Sequence, residues 1–407
     1  MMRRWKGVAM AGTAGVLAIF LAGAVMTRNL ALDTTYSSLR LFNEVLSLIQ
    51  KSYVDEVNSS SLMEGAYEGM LSGLDPFSEY FTAAEYAAAQ AAGKKPSPGS
   101  SADAGLRLAR REGSVLVVSV KPGSDAESRG ITAGDLVRRL GGDSARELHL
   151  FEVEGRLKGD AGSSVAIQVA RREEPRKIET DITRRVNSLP GPALEVVDAA
   201  EGIAVLKIMQ FEPGASQAIA GLLERAQKQK IRRLLVDLRG NAWGTMDEAA
   251  RAAGLFVGDT VVSRLKSKTE VVRELRGRAR GVYTGSVALL VNASTAESAE
   301  LFAAALQDLR GAKVIGENTF GVGAEQEFIA LNNGDWLKLS TRKYLSPSGT
   351  AWHGTGLKPT DPIPQGQDGE RASRLQRQLD KALDVLRAVP DPSTAAMRAP
   401  GEEPVAN

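Results

Sequence analysis

The chain has 407 residues, 43% of them hydrophobic and 25% charged, with 51 Lys and Arg set against 49 Asp and Glu. That length predicts more than one domain, each with a real core, and a net charge of +2 offers no electrostatic footprint for nucleic acid. The absence of Cys excludes disulfides, thiol catalysis, Cys-bound metals and a lipid-modified anchor. With only His149 and His353 there is little material for a His-based triad or a His-rich metal site, and no cofactor is expected.

Arg3, Arg4 and Lys6 precede an uncharged run from Gly7 to Met26. About twenty residues at 1.5 Å each span roughly 30 Å, the hydrocarbon thickness of a bilayer. Residues 1–27 therefore read as a signal anchor whose basic flank stays in the cytoplasm. Ala22-Gly-Ala24 also reads as the cleavage site of a signal peptide. Either reading exports the body, which in a double-membrane bacterium means a periplasmic protein at the inner membrane.

Leu39, Phe42, Val45, Leu46 and Ile49 fall on one helical face, and a second apolar segment starts at Leu62, so residues 28–90 read as a helical region. Lys94-Lys-Pro-Ser-Pro-Gly marks a linker over 91–102. From 103 to 186 a small β module with two helices is predicted: strands at Val115–Val120 and Val165–Arg171, a short helix after Ser124, and a helix over Leu150–Lys158. His149 reads as a surface residue just ahead of that helix.

From 187 to 365, strand and helix signals alternate: Gly202–Phe211, Ala215–Lys228, Arg233–Arg239, Met246–Phe256, then Val287–Val291, a helix, and Lys313–Gly316. This order predicts an α/β domain with parallel pairing, interrupted by a solvated hairpin over Val261–Arg280. Ser294-Thr-Ala-Glu297 reads as a capping box, with an acid in the first turn favoured by about 0.3–1 kcal/mol. Residues 366–407 predict an amphipathic helix through Leu375, Leu379, Ala382, Leu383 and Leu386, followed by a disordered Pro-, Ala- and Glu-rich tail.

Three stretches of the α/β region carry a more specific signal. Thr295-Ala-Glu297-Ser298-Ala-Glu300, Gly316-Glu-Asn-Thr-Phe-Gly-Val322-Gly-Ala-Glu-Gln326 and Asp237-Leu-Arg239-Gly-Asn241-Ala242-Trp243-Gly244 resemble motifs of the carboxyl-terminal processing (tail-specific) serine proteases, as do the turns at Pro347-Ser-Gly349 and His353-Gly-Thr-Gly356. The family patterns are approximately S-A-S-A-S-E, G-E-x-T-F-G-K-G-x-x-Q and D-L-R-x-N-P-G-G. The resemblance puts Glu297 at the nucleophile position and Val322 at the base position. It implies that Asp308 and Gln326 support the dyad, and that Gly244 and Ser298 offer backbone N–H groups to an oxyanion. Glu297 has no hydroxyl and Val322 cannot take a proton, so the expected chemistry lacks both partners. Trp243 in place of a Gly is expected to narrow the pocket.

In the same resemblance, residues 103–186 are similar to a PDZ domain. Gly105, Leu106, Arg107 and Leu108 would form its carboxylate-binding loop and opening strand, and Val153 and Leu157 would stand on the helix flanking the groove. Such a groove takes a peptide as an added strand while loop N–H groups hold the terminal carboxylate. The helical region resembles one that supports dimers in some members. The implied function is a membrane-tethered pseudoprotease that binds peptide or protein C-terminal tails, as a scaffold or beside an active relative. The alternative is an active endopeptidase with a non-standard nucleophile (Ser298, Ser294 or Thr295) and a base such as Lys338 or Lys343.

Overall fold

The computed structural model describes residues 36–92, 102–111, 113–171, 177–186, 189–364 and 371–389. The anchor or signal segment 1–27, most of the linker and the tail beyond residue 389 lie outside the described residues. No described helix is long and apolar enough to cross a membrane.

The described residues up to 69 and those from 70 onward form two compact units. In the first, residues 36–52 are helical and Ser59 opens a second helix, Ser59–Ser72. Gln50 Nε2 donates to Ser59 Oγ at 2.8 Å. Leu39, Phe42 and Val45 on the first helix are exposed.

The second unit holds a β module, a parallel sheet and an antiparallel sheet. Asp75 ends the helical region: its carboxylate accepts the N–H groups of Phe77 and Ser78 at 2.8 Å, turning the chain at Pro76. Glu79–Phe81 then forms a strand antiparallel to Trp336–Leu345, which corrects the expectation of helix throughout 28–90. The helix Ala83–Ala92 also runs into the expected linker. Trp336–Leu345 further pairs with Ala324–Ala330 and Val261–Lys266, and the latter with Val271–Arg276.

The β module runs in strand order Leu106–Arg111, Ser114–Val120, Leu136–Leu140, Ser164–Ala170 and Lys177–Thr183, all antiparallel. The expected strand Val165–Arg171 is followed by one more, Lys177–Thr183, within the expected bounds 103–186. The helix Leu150–Leu157 buries Leu150, Val153 and Leu157.

The parallel sheet has the order Ala193–Asp198, Ile203–Lys207, Arg233–Asp237, Ser286–Val291, Lys313–Gly316 and Asp361–Pro362, antiparallel only at its first pair. Its four inner strands are almost continuously apolar because both faces are covered. Ala204, Leu206, Leu234 and Leu289 pack with the helices Ala215–Lys228, Met246–Val257 and Ser298–Arg310. Their neighbours Ile203, Val205, Leu235 and Leu290 face Ala382, Leu383 and Leu386 of the C-terminal helix Arg371–Arg387.

Candidate active site

Three loops leave the carboxyl ends of adjacent parallel strands: residues 238–244, 292–297 and 317–323. Open α/β sheets place their ligand sites at these ends. The loops are laced together by backbone bonds: Ala296 N–H to Asn241 O at 2.9 Å, and Phe320 N–H to Thr295 O at 2.9 Å. Asn292 Oδ1 accepts the N–H groups of Gly240 and Ser294, both at 3.1 Å, and Thr295 Oγ1 donates to Leu238 O at 2.9 Å. Ser294 and Thr295, two of the alternative nucleophiles, are thus buried turn residues.

The helix Ser298–Arg310 begins one turn later than the Ser294 capping box requires. Its N-cap is Glu297, at φ 54° and ψ −115°. A non-glycine residue held at such angles costs about 1–3 kcal/mol and persists only where its surroundings over-determine it. The reciprocal acid is Glu300: the Glu297 N–H donates to Glu300 Oε2 at 3.0 Å.

Glu300 is fully buried and also accepts from Thr319 Oγ1, from the Gly321 N–H at 2.7 Å and from the Val322 N–H at 2.8 Å. One carboxylate therefore joins the helix start to the glycine-rich loop. Burial pushes its pKa up to about 7 against the pull of these donors.

A cavity of about 140 Å³ lies above this junction. Glu297, Val322 and Gln326 line it together with Arg107, Leu108 and Lys338. The Glu297 carboxylate is ion-paired with the Arg107 guanidinium, and Lys338 Nζ lies 3.5 Å from Glu79 Oε2. Gln326 Nε2 donates to Ser340 Oγ at 3.2 Å. Lys343, the other alternative base, is exposed.

Ser298 is 1% exposed, and its Oγ donates to Trp243 O at 3.2 Å. Gly244 has φ 114°, and a Cβ there would lie 2.2 Å from the Phe211 carbonyl carbon. Trp243 is half-buried, with the Lys121 ammonium 4.6 Å from its ring centroid.

Two groups of expected site residues fall elsewhere. Asp308 lies eleven residues beyond Glu297, about 16 Å along the helix axis, where its exposed carboxylate accepts the Ser348 N–H at 2.8 Å. Val153 and Leu157 point into the core of the β module, while Leu150 and Glu154 of the same helix reach the cavity. Gly105 and Leu106 do not line the cavity either; the Gly105 N–H donates to Asp103 Oδ1 at 2.7 Å.

The β module sits on all three loops. Ser119 Oγ donates to Gly240 O at 2.8 Å, and Arg111 donates to Phe320 O at 3.2 Å while stacking 4.7 Å from its ring centroid. Ala242, Ala296 and Phe320 are buried in the module's apolar cluster. A further support was not foreseen: the His353 ring, 2% exposed, accepts the Gly323 N–H on Nδ1 at 3.3 Å and sets Nε2 3.8 Å from Asp75.

Residues 202–363 match peptidase family S41, residues 102–182 match the PDZ domain, and residues 22–84 match the N-terminal domain of the activating protease CtpB. The chain carries a peptidase S41 domain joined to a PDZ domain. A probable CtpA-like serine protease of Staphylococcus aureus is 28% identical over 88% of this chain and 72% of its own length. Another of that description from Staphylococcus epidermidis is 30% identical over 79% of this chain and 65% of its own. The fold is similar to that of the photosystem II D1 C-terminal processing protease, at a TM-score of 0.61 and 22% identity, covering 80% of this chain and 92% of that one. In this S41 domain the loops carrying Glu297 and Val322 meet at one cavity, so a nucleophile and a base at those positions would be neighbours.

Proposed function

We propose that this S41 protein is a recognition scaffold without peptidase chemistry. Residues 1–27 hold it at the inner membrane, its body is periplasmic, and its PDZ domain binds the C-terminal tails of peptides or proteins, alone or beside an active relative. The observation that carries the reading is the pairing of Glu297 with Arg107 in the cavity that Val322 also lines. A carboxylate tied to a guanidinium is no acyl acceptor, and an isopropyl side chain has no lone pair for a proton. Ser298 does not supply the missing hydroxyl, because it is buried and bonded to a carbonyl.

Incubation with an unfolded protein ending in an apolar tail, following capture and fragmentation together, tests the reading. Capture without fragmentation is expected. Fragmentation that disappears in Ser298→Ala would overturn it and make the chain an endopeptidase. A reporter fused after residue 389 that is active only outside the cytoplasm tests the location.

A further inference from the structure

The strand Trp336–Leu345 sets Lys343 directly opposite Lys266 of the strand Val261–Lys266, and both side chains are exposed. Residues so paired stand on one face with Cβ atoms about 4.5–5.5 Å apart, where like charges oppose each other. Lys268, exposed in the turn that follows Lys266, adds a third ammonium. The arginines around them are matched by acids: Arg264 by Glu274, Arg273 by Asp247, Arg276 by Asp259, and Arg342 by Glu325 and Glu327. Among the described residues none of the three lysines has an ion-pair partner, and Glu270 of the same turn supplies none. A sheet that matches its arginines but leaves two lysines opposed gives up stability here, and its uncompensated positive charge suits an anion from outside.

The same face leads to the cavity. Lys343 is also opposite Ala324, and Ala324 shares a face of its strand with Gln326, which lines the cavity. Two residues along a strand cover about 7 Å and each step between strands about 5 Å, which puts Lys343 and Lys266 roughly 9–12 Å from Gln326. An extended chain crosses that distance in about three to four residues.

We infer that this lysine face binds acidic residues of the polypeptide whose end occupies the cavity, at about the fourth to sixth positions from its C-terminus. The inference rests on the tail-binding reading above and adds a substrate class to it. Carboxylates are the anions that a polypeptide itself supplies, and the face lies where the chain just before the end would pass. Val271, opposite Lys266, and Val272 are 45% and 44% exposed and give that segment an apolar footing beside the charges. The ligand is thus a tail with an apolar end and an acidic stretch immediately before it.

The test uses the full chain and two labelled ten-residue peptides ending in Ala-Leu-Ala, with Asp or Asn at the three positions before that ending, read by fluorescence anisotropy. The Asp peptide should bind about fivefold more tightly at low salt, and the preference should vanish near 1 M salt, where the Debye length is about 3 Å. Lys266→Gln combined with Lys343→Gln should bring the two peptides to within about twofold of each other. The melting temperature of this double variant should stay at or above that of the unaltered protein, because the opposed charges are gone. Equal affinity of the unaltered chain for both peptides would overturn the inference and leave the tail-binding reading standing. An Asp preference that survives in the double variant would overturn it too. Equal peptide affinities, with phosphatidylglycerol vesicles bound more tightly by the unaltered chain than by the double variant, would overturn it in favour of a lipid surface. Binding of neither peptide would overturn both readings.

Discussion

The backbone N–H of Val322 donates to Glu300 Oε2 at 2.8 Å, and the same oxygen accepts the N–H of Glu297. The two positions that the resemblance assigned to catalysis are thus held in fixed relation by a third residue, which is itself buried. Glu300→Ala would strand four donors at once, each costing about 1–3 kcal/mol when left unpaired. The expected loss is more than about 4 kcal/mol in urea unfolding. A loss below about 1 kcal/mol would mean that other groups hold the loops.

Stability should depend on pH through Glu300 and Asp75 in opposite senses. The raised Glu300 value, about 7 against an ordinary 4.5, means that the unfolded chain ionises first. Stability is therefore full at acid pH and falls as pH climbs from 4.5 through 7, by up to about 3 kcal/mol. For Asp75, burial opposes ionisation, but hydrogen bonding from His353 and from the Phe77 N–H outweighs it and holds the carboxyl well below the usual range. Its contribution is present above the ordinary value and is lost as pH falls further. Unfolding free energy should thus peak near pH 5. Glu300→Gln should flatten the limb from pH 5 to 8 and Asp75→Asn the acid limb, measured by urea titration at each pH.

Gly244 is needed for packing as well as conformation. Gly244→Ala would set a methyl 2.2 Å from the Phe211 backbone at a φ of 114°, displacing the turn that carries Trp243. The expected cost exceeds about 2 kcal/mol, whereas Gly240→Ala, which meets nothing within 4 Å, should cost about 1 kcal/mol through its positive φ alone. Equal melting temperatures for the two variants would contradict this.

The indole N–H of Trp243 is buried and has no acceptor among the described residues. An unpaired buried donor costs about 1–3 kcal/mol. Trp243→Phe removes it and keeps an aromatic face for Lys121, so its melting temperature should rise; a fall would mean that the N–H is satisfied.

Much of this architecture was legible in the sequence. Apolar runs such as Arg233–Asp237 mark parallel strands because both faces are buried, and Ala215–Lys228 shows its helix by period. Three residues, Glu79–Phe81, gave no such signal, since they become a strand only by pairing with Trp336–Lys338 far along the chain. Periodicity showed that Val153 and Leu157 share a face, but not that Leu150 and Glu154 are the ones at the cavity. Glu300 stood in the quoted motif, three residues after the true N-cap; its role was hidden because the helix start was placed at Ser294. His353 belongs to a turn motif, and nothing in its spacing points to Asp75 or Gly323.

The central claim is that the S41 framework persists around two positions without catalytic side chains. Its most direct test is cleavage of an unfolded, apolar-tailed protein by the unaltered chain, by Glu297→Ser and Val322→Lys singly, and by the double variant. The account predicts fragments from the double variant alone, because Glu300 still holds both backbones in place. Fragments from the unaltered chain would contradict it.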